Sequence, residues 1–510
     1  MLTASPHLFG DAVGAAHDAG DLSDHRGNSV EALVLWWIGA ALVCGFATVL
    51  TALSGRFSYA FEVIEMPVLA ATAFLVVACS VFAALLPGLI RTHSSGTASS
   101  SSATARILTL VIAAGVLARL ILFLSEPVLE NDYQRYLWDG AVSASGLNPY
   151  AVSPRAVIEA GDTGPLAHLA AESGLVLSRI GHGTLTTIYP PVAQAAFGLA
   201  HALAPWSLTA WRAVLLACDA AVLVLLLALL KETNRSPLWA ALYWWNPLVI
   251  KEGFNSAHME PLVLVLVMLT LWLAATRKPV VAVGALGFAA GAKIWPVLLL
   301  PLLLRPLLND PRRMTAALAV FGTLMLLWAV PIVSAGLGEH SGILAYAETW
   351  QTNSALVPLL QAIIRALSQV LTGTDAHAAV AVRFILAVGL GAIALALAWR
   401  PIGDARDLLA RAALMIAALV LMSPSQYPWY LMWLAPLLVF WPSRAFLLAV
   451  ATIPLYYAKF HFAALETLEL AQPFILAAIW GPVWGLLAYS AWCRAGNGNA
   501  LKFITARSAT

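Results

Sequence analysis

Apolar runs of about the length that crosses a bilayer recur from one end of this chain to the other, and that recurrence restricts the fold to one class. Runs near 32–52, 66–90 and 106–124 open the series, and further runs follow as far as 472–491. A transmembrane helix needs roughly 20 predominantly apolar residues. Of the 510 residues, 61% are apolar and only 11% charged, against roughly 25% charged in ordinary soluble domains. No soluble fold could cover so much apolar surface. The prediction is an all-α polytopic membrane protein with about 12–13 spans.

The same numbers exclude other classes. A formal net charge of +2 is too small to suggest nucleic acid as a partner. Cys44, Cys79, Cys218 and Cys493 lie far apart, mostly in apolar runs, so they read as small core side chains rather than a disulfide or zinc framework. Residues 1–30 carry Asp11, Asp18, Asp21 and Asp24 and no basic stretch leading into an apolar one, which argues against a cleaved signal peptide. The first span is expected to be an uncleaved anchor.

Basic loops favour the cytoplasm. By that rule the Ser/Thr linker between Arg91 and Arg106 is inside, and the third span delivers an acidic segment to the outer face. The expected organisation is a cytoplasmic tail at 1–30 and a transmembrane module at 31–378 with outer loops near 125–188 and 334–378. Further transmembrane helices at 379–492 and a cytoplasmic tail at 493–510 complete it. Topology is open for 189–275. If 189–204 dips in and returns, Lys251–Glu260 lies outside beside the acidic loop; if it spans, His258 lies inside. The first arrangement is preferred, because it leaves Lys231, Arg235, Arg277 and Lys278 cytoplasmic.

Chemistry concentrates in the run Glu130-Asn-Asp-Tyr-Gln-Arg-Tyr-Leu-Trp-Asp-Gly140. Read as a helix, Asp132, Arg135, Tyr136 and Asp139 fall at i, i+3, i+4 and i+7 and share a face. Asp132 can act as general base towards a hydroxyl. Arg135, His258 and Lys293 can neutralise a phosphate leaving group. Tyr136, Trp138, Tyr150 and Trp350 can stack on sugars or sit in the interfacial belt. Plainer readings stand beside these. Asp132 could be a solvated helix end, Arg135 an ion-pair partner, Asn148-Pro149 a turn, and the tryptophans lipid anchors. Lys293 breaks an apolar run at Lys293-Ile-Trp-Pro296, and a lysine there is costly unless paired or wet. Gly287 and Gly291 form a small-xxx-small pair, a helix-packing signal. The chain lacks HExxH, GxSxG and phosphate-loop motifs, and no metal-ligating set stands out; a divalent metal is compatible with the site but not indicated.

Asp132–Gly140 and Gly146-Leu-Asn-Pro-Tyr150 come first in the chain. Tyr189-Pro-Pro191, Trp245-Asn-Pro247, Asn255-Ser-Ala-His-Met-Glu260 and Gly291-Ala-Lys293 follow them in order. With these motifs the chain resembles the polyprenyl-phosphate-sugar-dependent glycosyltransferases of the GT-C superfamily, most closely the bacterial membrane mannosyltransferases. The likeness covers roughly residues 105–360. It implies a GT-C-like helical fold in the bacterial cytoplasmic membrane, with a large first outer loop and the site facing the exterior. Asp132 takes the catalytic base position. The donor implied is a polyprenyl-phosphate sugar drawn from the lipid, the acceptor a glycolipid or glycan, the outcome inversion, and no cofactor is required. Substrate contacts are expected from Arg135, Tyr136, Asp139, Asn148, Tyr150, Tyr189, Asn246, Asn255, His258, Glu260, Lys293, Trp350, Asn353, Gln426 and Tyr427. The chain departs from the likeness at His258-Met-Glu260, where relatives more often place an Asp soon after the histidine. A transporter or flippase is the alternative, and a non-catalytic envelope-assembly partner a third. Transporters often pair interrupted helices in two repeats, and only one clear break, at Lys293, is visible here.

Overall fold

A computed structural model describes residues 14–94, 101–354, 356–372, 374 and 378–496. The start of the N-terminal tail, the middle of the Ser/Thr linker and most of the C-terminal tail lie outside the described residues. Among the described residues there is no strand, only an isolated bridge between Thr352 and Ser425. The chain is all-α and polytopic, as its composition predicts.

Among the described residues, eight helices are long and apolar enough to cross a membrane: Leu33–Phe57, Val68–His93, Ser101–Leu122, Leu208–Glu232, Pro311–Ala335, Ala378–Ala398, Arg444–Ala464 and Leu468–Cys493. Four shorter apolar helices, Glu260–Ala275, Pro279–Ala292, Trp295–Leu307 and Leu356–Leu371, supplement them. Fewer long helices form than the 12–13 spans expected, and proline is the main reason. The runs 237–250 and 428–441 become short helical pieces that restart at Pro237, Pro247 and Pro428, with Pro436 opening the last, because proline supplies no N–H and fits most readily in a first helical turn, although Pro87, Pro331, Pro473 and Pro482 stand inside longer helices. The break expected at Lys293 is present: it ends the helix Pro279–Ala292 in an extended conformation, and a 3-10 turn begins at Trp295.

Close helix packing uses missing side chains. A Cβ on Gly291 would lie 2.6 Å from the Trp328 ring nitrogen, and one on Gly287 2.6 Å from Leu324. Both glycines therefore seat the helix Pro311–Ala335 against Pro279–Ala292, as the small-xxx-small spacing predicts. Gly140 does the same for the acidic segment, since a Cβ there would meet the Phe197 carbonyl oxygen at 2.5 Å. The helix Asp132–Ala144 thereby lies directly on Pro191–Leu203.

A buried ion pair ties the middle of the bundle. Arg119 and Asp219 meet at 2.6 Å with both side chains fully buried, and Tyr243 donates its hydroxyl proton to Asp219. Arg119 also donates to the carbonyl oxygens of Gly115 and Trp244, each at 2.9 Å, and lies 3.5 Å over the Trp244 ring.

The two ends of the bundle differ in charge. At one end Arg235 donates to the Phe440 carbonyl, Arg305 to that of Trp399 and Arg406 to that of Thr233. At the other, Asp132 and His258 lie 3.7 Å apart. Lys251–Glu260 therefore lies beside the acidic loop. The helix Pro191–Leu203 has 13 residues, or about 20 Å at 1.5 Å per residue, short of a bilayer core.

Candidate functional site

The segment 130–139 forms the helix expected of it, beginning at Asp132. Its shared face meets a cavity of ≈ 1220 Å³, which Asp132, Arg135 and Tyr136 line. Asp139, one turn further on, is turned inward and accepts from the Gln194 amide at 3.2 Å. The Asp132 side chain keeps 37% of its exposure and accepts a hydrogen bond from the Tyr189 hydroxyl at 3.4 Å. Burial first, and then the Glu260 carboxylate, push its pKa up to about 6; Lys293, the Tyr189 hydrogen bond and Arg135 oppose the rise. A carboxylate at such a value is ionised near neutral pH and accepts a proton readily, which suits a general base.

Behind Asp132 lies His258, fully buried and stacked on Trp429 with ring centroids 3.9 Å apart. Its Nδ1 faces Asp132 Oδ2 at 3.7 Å, and its Nε2 faces one oxygen each of Glu130 and Glu252, also at 3.7 Å. Neither ring nitrogen has a hydrogen-bond partner. Burial, then Lys251 and Lys293, hold the imidazole pKa well below its usual value, so the ring is neutral. Glu252 accepts from the Tyr457 hydroxyl at 2.8 Å and meets Lys251 at 3.3 Å. On the other side Lys293 binds Glu260 at 2.6 Å and lies 4.7 Å over Tyr430 and 5.0 Å over Trp433. The lysine in the helix break is therefore both paired and covered by aromatic rings.

Backbone irregularities cluster at this place. Lys251–Asn255 forms a π-helical turn, a feature frequent at functional sites. Leu129, His182, Ala257 and Asn353 have positive φ of 59°, 53°, 57° and 54°, conformations that L residues adopt at a cost. Two of them directly precede Glu130 and His258.

The remaining candidates divide into cavity wall and scaffold. Tyr189, Trp350 and Tyr427 line the cavity, with the Trp350 ring N–H donating to the Tyr427 hydroxyl at 2.8 Å. Arg135 lines it too, but donates to the His182 and Leu185 carbonyl oxygens at 3.2 and 3.1 Å. Asn148 ties its loop to Pro331 at 2.7 Å, and Tyr150 donates to the Tyr189 carbonyl at 2.6 Å. Asn246 caps the helix Pro247–Ile250. Asn255 donates to Ser125 and Glu126 and accepts from Val128 N–H. Asn353 donates to the Gln426 carbonyl at 2.8 Å, clamping the second loop to the 423–430 segment. None of these five, nor Gln426, reaches the cavity wall.

Sequence reasoning passed over Glu130 and Glu252, which stood inside quoted runs, and Arg383 and Lys459, which the structure places on the cavity wall. A signal existed for the last two: each is an ionisable residue in an otherwise apolar span, a functional candidate by default. Arg383 donates to the carbonyl oxygens of Ala347 and Trp350, and Lys459 to the Tyr456 hydroxyl.

No curated protein and no solved structure matches the chain. The family model of glycosyltransferase family 87 does match, over residues 187–424, a segment that holds Tyr189, His258, Glu260, Lys293 and Trp350 but begins after Asp132. Over that segment the chain is similar to glycosyltransferase family 87, a family of GT-C type, and its fold is that of a multi-pass membrane protein.

Proposed function

We propose that this chain is a membrane glycosyltransferase. In this reading it moves a sugar, with mannose the first to test, from a polyprenyl-phosphate donor to a hydroxyl of a glycolipid or glycan acceptor. One observation carries the proposal: a partly exposed carboxylate, Asp132, sits on the wall of a cavity that also holds Lys293, Lys459 and Arg383 and a bank of aromatic rings. The wall continues into apolar surface from Leu298, Met325 and Ile332. A lipid tail suits the apolar part, a sugar the rings, and a phosphate the cations.

In the proposed step the Asp132 carboxylate takes the proton of the acceptor hydroxyl. The acceptor oxygen then bonds to the anomeric carbon from the face opposite the donor oxygen. The bond between that carbon and the phosphate oxygen breaks, and polyprenyl phosphate leaves with the electron pair. Configuration is inverted. Charge building on the departing phosphate is countered by Lys293, whose own pairing with Glu260 holds its ammonium in place, and by Lys459. Preorganised cations in a site shielded from water act most strongly there.

The charge difference between the two ends supports a site on the exterior of the cytoplasmic membrane. Arg235, Arg305, Arg400, Arg406 and Arg411 lie at the end away from Asp132, and basic loops favour the cytoplasm.

The test is a membrane assay with radiolabelled polyprenyl-phosphate mannose and other polyprenyl-phosphate sugars, parent against Asp132→Asn. Loss of transfer by about 100-fold or more, in line with general-base contributions, is expected at unchanged expression. Transfer near the parent level by this variant would remove the base and the mechanism.

A further inference from the structure

Glu130, Glu252 and His258 offer one ligand atom each within 4.8 Å of one another. The spacing is unlike that of a hydrogen-bonded cluster. His258 Nε2 stands 3.7 Å from Glu130 Oε2 and 3.7 Å from Glu252 Oε2, beyond the 2.7–3.2 Å of a real N–H···O bond. Ligand atoms around a tetrahedral cation with bonds of about 2.0–2.2 Å lie roughly 3.3–3.6 Å apart. The third edge of the triangle closes by rotation about the terminal torsions of either glutamate, which are broad.

Independent of that spacing, the polar atoms here lack partners. His258 is 0% exposed with both ring nitrogens unbonded, and Glu130 Oε1 is buried and unbonded as well. Leaving such groups unpaired costs on the order of 1–3 kcal/mol each. The backbone is bent to assemble them: the π-helical turn at Lys251–Asn255 and the left-handed Ala257 fold the chain so that His258 N–H donates to the Glu252 carbonyl at 3.0 Å.

The geometry points to a divalent cation held by Glu130, Glu252 and the Nε2 of His258, directly behind the catalytic aspartate. This rests on the glycosyltransferase reading only for the role of Asp132; the cation site itself does not depend on it. A ligating histidine commonly turns its other ring N–H towards a carboxylate, which sets the tautomer and the ring orientation. Here that second nitrogen, Nδ1, faces Asp132 at 3.7 Å. Metal on Nε2 places the proton on Nδ1, and His258 becomes a positioning residue for the base. One imidazole with two carboxylates suits manganese or zinc. Lys251, at 3.3 Å from Glu252, is the competing cation. Its charge also acts on Glu130, as does that of Lys459, yet Glu130 Oε1 and both imidazole nitrogens stay without a hydrogen bond.

The experiment uses the purified full-length chain in detergent, stripped with a chelator and titrated with Mn²⁺ or Zn²⁺ alone. Binding is followed by electron paramagnetic resonance, elemental analysis and thermal unfolding. One ion per chain and an unfolding midpoint several degrees higher are expected. Glu130→Gln and Glu252→Gln should each weaken binding by more than about 100-fold, while Asp132→Asn, which touches only the second ring nitrogen, should weaken it by about 10-fold. Should the Gln variants fail to fold, X-ray absorption of the zinc-loaded parent decides: one nitrogen with oxygens at about 2.0 Å supports the site. A shell without nitrogen, no retained ion, or equal binding by the parent and both Gln variants overturns it. None of these readouts uses sugar transfer. A failed cation leaves the glycosyltransferase reading standing, and a chain that binds the ion but transfers no sugar separates the two in the other direction.

Discussion

Two buried charge clusters in this molecule are built on different terms. In the first, Arg119 meets Asp219 at 2.6 Å, Tyr243 caps the same carboxylate, and two carbonyl oxygens and the Trp244 ring cover most of the guanidinium. In the second, Asp132, Glu130, Glu252 and His258 stand 3.7 Å apart across the imidazole, with ring nitrogens unbonded and a cavity on one side. Both carry a removal cost, but the first uses its charges to join helices, and the second keeps them available. In the first cluster Arg119 Nη2 still lacks a hydrogen-bond partner, but the opposite charges are in direct contact, and charge so paired in an apolar bundle reads as structure; unpaired charge beside a cavity reads as chemistry.

The widest gap between the clusters should appear on removing one charge from each. Arg119→Met would leave Asp219 buried and uncompensated, a loss of about 3–5 kcal/mol. It should be seen as poor membrane yield and a lower unfolding midpoint in detergent, with much of it recovered by adding Asp219→Leu. Recovery that fails to appear would mean the pair is not the unit described. Asp132→Asn should do the reverse: about 100-fold slower transfer, or roughly 2.7 kcal/mol of barrier, with no loss of unfolding temperature. The folded protein holds the Asp132 proton with a pKa of about 6 against 3.8 ordinarily. A raised carboxyl pKa gives stability that is full below the ordinary value and is lost as pH rises through 6, so at pH 7.5 an amide costs nothing by comparison. A marked drop in midpoint would place Asp132 in the structural class.

The pH profile sharpens the same contrast. In chelator-treated protein, kcat/KM should fall about tenfold per unit below an inflection near pH 6 as Asp132 is protonated, whereas the unfolding midpoint of the Arg119 cluster should hardly move over that range. A rate that is flat between pH 5 and 8 would contradict the base assignment. The smallest effect is expected from Tyr189→Phe. It removes one hydrogen bond of 3.4 Å to Asp132, worth about 1 kcal/mol, and should slow transfer several-fold while leaving folding intact.

How much of this was legible beforehand differs by residue. With the run read as a helix, the shared face of Asp132, Arg135 and Tyr136 followed from i, i+3, i+4 spacing, whereas Asp139, expected on the same face, turns inward to Gln194. The break at Lys293 followed from a lysine and a proline in an apolar run. Gly287 and Gly291 were legible as packing positions. Asn246, Asn255, Asn353 and Gln426 looked like ligands because polar residues in a membrane chain stand out, yet each fastens backbone. A sequence shows that a polar group needs a partner and not whether the partner is a carbonyl oxygen or a substrate.

By itself the sequence determined the class: apolar period and length made membrane helices, prolines placed their breaks, and scarce charge marked the acidic loop. These are local properties, set by residues within a few turns of one another. Tertiary structure alone decided which charges meet. Glu130, Glu252 and Tyr457 come together across more than 300 positions, and Lys459 reaches the cavity wall from a late helix. Their juxtaposition depends on helix packing between segments that carry no record of one another in their spacing.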